Sequence, residues 1–273
     1  MKIVLTLGLS LTLVTTGFAQ RIDDEEPSTG KIVNTSLSQI RRAADAYRQV
    51  WVRFRVQFVS MGTVKNPFFT RFVPEKYANF YAWAGEQHIW QKDQYETPFP
   101  LLFLPKQSAQ LEELYQLKLY TQMDVIGIVR NVFSGEPWIE IRGFKLGARK
   151  VTTSVLTHMY RGEQFMKKRD WAKAISELSL AHSADIPDNV LLATHQNLAV
   201  CHLRLGESGI AVKHMRRAMA LSEEPGYETR RLAQVAETNP ELELDRTVTG
   251  AQIADHERPM WEAFEDLEMG SPR

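Results

Sequence analysis

The chain is nearly free of cysteine. Its 273 residues contain one, Cys201. This excludes an intramolecular disulfide framework and any zinc or iron–sulfur site built on several thiolates. Net charge is also missing: 33 basic residues balance 33 acidic ones. A polyanion binder that uses its whole surface is therefore not expected. No glycine-rich phosphate loop, dinucleotide fingerprint or Gly-Xaa-Ser-Xaa-Gly elbow is present. After residue 19 no apolar run is long enough to span a bilayer. Hydrophobic residues make up 44% and charged residues 24%, which is ordinary for a chain with a buried core. The length suits two modest domains.

The N-terminus carries an address. Lys2 is the only charge before Arg21, an apolar run covers Ile3 to Val14, and the small residues Gly17 and Ala19 precede Gln20. This is the layout of a secretory signal peptide cut after Ala19. The predicted location is exported, periplasmic or secreted. The alternative is an uncleaved N-terminal anchor, since residues 3–19 hold no charge. No membrane span is expected after removal of the signal.

Charge is uneven along the chain. Residues 41–150 carry 16 basic and 10 acidic side chains, net +6, whereas residues 239–273 carry three and nine, net −6. Residues 20–40 include Asp23-Asp24-Glu25-Glu26-Pro27 and read as a disordered linker. Residues 239–273 read as an acidic tail, with a short helix expected around Met260 to Leu267.

Residues 41–148 alternate like a sheet. Val52, Phe54, Val56 and Phe58 fall on one face of a strand, with Trp51, Arg53, Arg55 and Gln57 on the other. Further strands are predicted at Ala78–Ala84, Phe99–Leu104, Thr121–Phe133 and Trp138–Leu146, with a helix over Gln107–Leu117. The segment Ser134-Gly135-Glu136-Pro137 is a turn signal, and Gly127 marks a bend in mid-strand. The order of three strands, helix, two strands resembles the OB-fold. That resemblance implies a small five-stranded barrel with one helix, which binds oligosaccharide or single-stranded nucleic acid on the face of strands two and three. Lys76, Tyr81, Trp83, Trp90 and Lys92 are the candidate residues on that face; the competing reading places the aromatic rings in the core.

Residues 153–238 repeat. An offset of 37 brings Gly162 onto Ala199, Phe165 onto His202, Arg169 onto Gly206, Ala174 onto Ala211, Leu178 onto Met215 and Ala181 onto Ala218. Each copy reads as two amphipathic helices around a tight turn, with small residues where the helices approach closely. Residues 226–238 read as a capping helix. The pattern resembles the tetratricopeptide repeat (TPR), with departures: the period is 37, Arg169 stands at a turn where glycine is usual, and His202 replaces an aromatic or aliphatic residue. The architecture expected from both resemblances is multidomain, an OB-like β-barrel followed by an all-α TPR-like domain. The repeat resemblance implies a peptide-binding groove lined by the first helix of each copy. The residues so assigned are Met159, Glu163, Met166 and Lys167, then Gln196, Asn197, Val200 and Arg204.

Catalytic signals are weak. His195 and His202 lie seven apart and share a helix face, but packing or surface roles account for them more simply than metal ligation, because zinc needs three or four convergent ligands. Cys201 lies in mid-helix with no base placed beside it. No cofactor, metal or catalytic residue is expected. The function expected is a non-enzymatic scaffold or adaptor with a protein or peptide partner; the alternative is glycan or nucleic-acid binding on the barrel, with the repeats as a docking platform.

Overall fold

The computed structural model describes residues 31–63, 71–182, 185–221 and 226–238. The expected signal peptide, the acidic run Asp23–Glu26 and the tail 239–273 with its Met260–Leu267 helix lie outside the described residues.

Six strands form one mixed sheet: β1 (Val33–Asn34), β2 (Trp51–Met61), β3 (Tyr77–Ala84), β4 (Phe99–Pro105), β5 (Thr121–Phe133) and β6 (Glu136–Lys150). Their order is β1-β2-β3-β4-β6-β5, and β2 also pairs with β5. Pairing therefore runs around in a ring. β1 joins β2 in parallel at Val33↔Val52, and β4 joins β6 in parallel at Leu102↔Ile139. Val52, Phe54, Val56 and Phe58 of β2 point into one core with Phe80, Leu102, Val125, Ile139 and Phe144. The β5–β6 hairpin turns on Ser134 (φ 51°) and Gly135 (φ 79°), between the paired residues Phe133 and Glu136. Two successive positive φ values match the twist of the strands, as in tight two-residue hairpins. At Gly127 the register shifts, and a Cβ there would lie 2.7 Å from the Glu140 carbonyl oxygen. Only glycine lets the two strands approach so closely.

Short helices are interleaved with the strands: α1 (Leu37–Arg42), a 3-10 turn (Ala44–Tyr47), α2 (Lys92–Tyr95) and α3 (Leu111–Tyr115). Five longer helices follow: α4 (Thr153–Lys167), α5 (Trp171–Ala181), α6 (Asp188–Arg204), α7 (Ser208–Ala220) and α8 (Tyr227–Thr238). Capping explains several of the starts. The Thr152 hydroxyl accepts from Val155 N–H and the Asp170 carboxylate accepts from Lys173 N–H, each satisfying an amide the helix cannot. Small residues let the helices close up. Gly162 of α4 leaves so little room that a Cβ would meet Leu178 Cγ of α5 at 2.6 Å. Ala174, Ala181, Ala199, Ala211 and Ala218 are all buried. The two turns 37 residues apart share a conformation, with Arg169 at φ 60° and Gly206 at φ 77°.

The predicted architecture requires correction. An OB-type barrel of five strands and one helix, followed by a separate all-α TPR-like domain, is not what forms. The sheet has six strands, because Val33–Asn34, inside the stretch expected as linker, adds a strand to β2. Helices α1, α2 and α3 are interleaved with the strands. The long helices do not close on a core of their own. Trp83, Ile89, Trp90, Tyr95, Tyr120 and Val151 of the sheet region belong to the same apolar cluster as Leu156, Met159, Leu178, Leu198 and Met215. The physical reason is the sheet's second face. Alternation sends Trp83 away from the inner core, where it packs on Tyr95 and Tyr120 within the apolar cluster that the long helices share, and that burial removes a large apolar area from water.

Candidate functional site

The site grows from the connection between β3 and α2. After Trp83, the chain turns through residues 85–91 on its own glutamine side chains. Gln87 Oε1 accepts from Ala84 N–H at 3.0 Å, and Gln87 Nε2 donates to the carbonyl oxygens of Gln94 at 2.5 Å and Thr97 at 3.2 Å. Gln94 Oε1 accepts from His88 N–H at 2.8 Å, and Gln94 Nε2 donates to Gln91 Oε1 at 2.7 Å. Trp83 Nε1 donates to the Tyr95 carbonyl at 2.9 Å. These bonds fix the loop so that Ile89 and Trp90 point at the helices, and both are fully buried.

The helices answer with a carboxylate. Glu163 on α4 is 6% exposed. Its Oε1 accepts from Trp90 Nε1 at 2.7 Å and from Asn197 Nδ2 of α6 at 3.3 Å; its Oε2 accepts from Gln91 Nε2 at 3.1 Å. Burial raises the Glu163 pKa, and the three donors oppose that rise. His88 stacks on Trp90, with centroids 4.6 Å apart and planes 18° apart, and burial lowers its pKa to about 4. Neutral imidazole is thus the form that lies on the indole. Two further contacts extend the seam. Arg149 pairs with Asp188, and Lys150 N–H donates to the Asp185 carbonyl at 3.2 Å.

The groove residues expected from the repeat pattern divide into two groups. Met159, Glu163, Met166, Asn197 and Val200 are buried. Gln196 is half-buried and its amide donates to Thr229 of α8 at 2.8 Å. Lys167 is exposed and Arg204 is half-buried, with its guanidinium over the Trp171 ring at 5.6 Å. Trp90, a candidate for the binding face of strands two and three, instead donates to Glu163, a residue assigned to the groove, whose same oxygen accepts from Asn197. Trp83 is buried as well, so neither indole offers a free ring for stacking on a base or sugar. Lys76 is exposed, and Tyr81 and Lys92 are half-buried. They do not join the Glu163 cluster. The sequence reading did not single out Gln91 or Ile89. The three glutamines at 87, 91 and 94 were the available signal, spaced to bond around one short turn.

A cavity of about 490 Å³ lies beside this seam, between Lys118, Leu119 and Tyr120 on one side and Lys150, Val151 and Ser154 at the start of α4 on the other. The Cys201 thiol is buried and its pKa is pushed up to about 12, which keeps it protonated and unreactive. Among the described residues, no group of three or more His, Cys, Asp or Glu side chains could hold a metal ion. No described helix is long and apolar enough to cross a membrane. No family model and no curated protein matches the chain.

Proposed function

We propose that this protein is an exported, non-enzymatic scaffold that binds a polypeptide partner through its repeated helical hairpins, which resemble the tetratricopeptide type. One observation carries the reading: the face shared by α4 and α6 already holds a polypeptide segment. The chain's own residues 88–91 lie against it with an indole in an apolar slot and two side-chain N–H groups on the Glu163 carboxylate. A face that recognises aromatic and amide groups has the chemistry of peptide recognition. The occupied part of the face is spoken for, so the partner binds along the remaining rim, where Lys167 is exposed and Arg204 half-buried. A partner with carboxylates beside an apolar anchor suits that rim.

The test places photo-crosslinkers at 167 and at 76 in the full chain, in the exported fraction of its own cells. The reading predicts a defined polypeptide crosslinked from 167, lost in the charge reversal Arg204→Glu while the far-UV spectrum is unchanged. A polypeptide crosslinked only from 76, or one retained by the reversal, would overturn it.

A further inference from the structure

Four histidines from three consecutive helices lie side by side. His182 follows α5, His195 and His202 belong to α6, and His214 belongs to α7. Ring centroids are 5.1 Å apart for His182 and His195, 5.3 Å for His195 and His214, and 5.5 Å for His202 and His214. In the middle, His195 Nδ1 and His214 Nδ1 are 3.1 Å apart in hydrogen-bond geometry. One ring donates its Nδ1–H and the other accepts with a lone pair, so the two must hold opposite tautomers.

This geometry suits a proton better than a metal ion. A metal needs lone pairs from both nitrogens converging at about 2.0–2.1 Å. Here the acceptor's lone pair is directed at the donor's N–H. Among the described residues no third ligand completes a set.

The surrounding charges are mostly positive. Arg217 of α7 faces the pair, as do His182 from the α5 side and His202 from α6. Glu207 is the carboxylate that bonds to the array, and its Oε2 is 2.6 Å from His202 Nδ1, at the outer member rather than the pair. On the α8 side, Glu237 is drawn to Arg216, at 3.7 Å.

We propose that the His195–His214 hydrogen bond is a proton-operated latch between α6 and α7. Neutral rings hold the hairpin closed. A first proton, taken at Nε2 of the donor ring, leaves the Nδ1–H···Nδ1 bond in place. A second proton must occupy the accepting Nδ1, so the bond breaks and two imidazolium rings face each other beside Arg217. The hairpin then loosens. The latch is a property of the fold and does not depend on what the helical face binds.

Burial first, then the neighbouring positive groups, lower both pKa values to about 4. A histidine released to water titrates near 6.5, at about its model value. Between these values the loosened form holds more protons than the closed one. Closure is therefore complete above about pH 6.5, weakens as pH falls toward 4, and levels off below.

Hydrogen exchange of the full chain at pH 7.0 and pH 5.0, scaled for intrinsic rates, reads the latch directly. Protection of residues 208–220 should fall by roughly tenfold or more relative to residues 121–133. His214→Gln, which keeps a neutral hydrogen-bonding side chain, should abolish most of that fall. An equal fall in both segments, or one unchanged by His214→Gln, would overturn the proposal. Should His214→Gln not fold, ring NMR of the wild-type protein decides. Midpoints well below 6.5 that coincide with loss of protection in 208–220 support the latch; ordinary midpoints with protection intact overturn it. Zinc chloride at pH 7.0 that raises protection in 208–220 would also overturn it, because a metal would then occupy the pair.

Discussion

Trp90 Nε1 and Glu163 Oε1 lie 2.7 Å apart, both buried, and join parts of the chain 73 residues distant. Through this bond the loop after β3 grips the face of α4, and Gln91 and Asn197 complete the ring of donors on the same carboxylate. A buried carboxylate is stable only while its lone pairs are used. The seam between sheet and helices is thus specified by a polar contact inside an apolar core.

Removing either partner should have unequal effects. Trp90→Phe keeps most of the ring and deletes one donor, and should cost about 1.5–3 kcal/mol, the worth of a hydrogen bond to a charged group. Glu163→Ala strands three buried donors at once and should cost more. Glu163→Gln should fall below both, because its amide still accepts on one side. Urea unfolding of the three variants ranks them.

The pH dependence of Glu163 has a definite sign. Burial raises its folded pKa above the ordinary value of 4.5. The folded form then holds its proton to higher pH than the unfolded form. Its contribution to stability is complete below about pH 4.5 and is lost as pH rises through the folded pKa. The stability of wild type relative to Glu163→Gln should therefore be greatest in acid and decline toward neutrality. A flat difference from pH 4 to 8 would contradict the burial argument. The histidine latch runs the other way and loosens in acid, so the two groups are separable by variant.

Arg169 occupies a left-handed turn position at φ 60°, where its counterpart 37 residues on is Gly206 at φ 77°. A side chain costs about 1–2 kcal/mol in that conformation. Arg169→Gly should relieve it, less the added freedom of the unfolded chain, and raise stability by up to about 1 kcal/mol. Thermal unfolding checks this. A loss of stability would show that the Arg169 side chain makes a contact worth more than the strain.

Gly162→Ala should go the other way despite alanine's better helix propensity. The new Cβ would sit 2.6 Å from Leu178 Cγ at the α4–α5 contact. Overpacking of this kind costs about 1–3 kcal/mol. Gly209→Ala in α7, where a Cβ meets nothing within 4 Å, is the matched control and should be neutral or stabilising by up to about 1 kcal/mol.

Much of the local structure was legible in the sequence. The alternation of Val52, Phe54, Val56 and Phe58 placed β2, the 37-residue offset placed the two helix pairs, and residues 226–238 marked α8, because periodicity reports which face is buried. What periodicity cannot report is what covers that face. Nothing in the spacing of Trp90 and Glu163 links them, since the bond depends on a loop shaped by Gln87 and Gln94. The same blindness produced the two-domain expectation. Trp83 and Trp90 look alike as core or as binding rings until their covering helices are known. β1, two residues long, carries too short a pattern to be read. His195 and His202 share α6, but His182 follows α5 and His214 belongs to α7, and only the packing of the helices brings the four together.

The most direct test of the account is whether sheet and helices open together. Native-state hydrogen exchange with increasing urea should follow residues 121–133 of β5 and 153–167 of α4. If the Trp90–Glu163 seam makes one body of them, both segments converge on a single global opening of equal free energy and equal urea dependence. If α4 exchanges through a separate, less costly opening while β5 stays protected, the helices are an independent unit and the seam does not hold the fold.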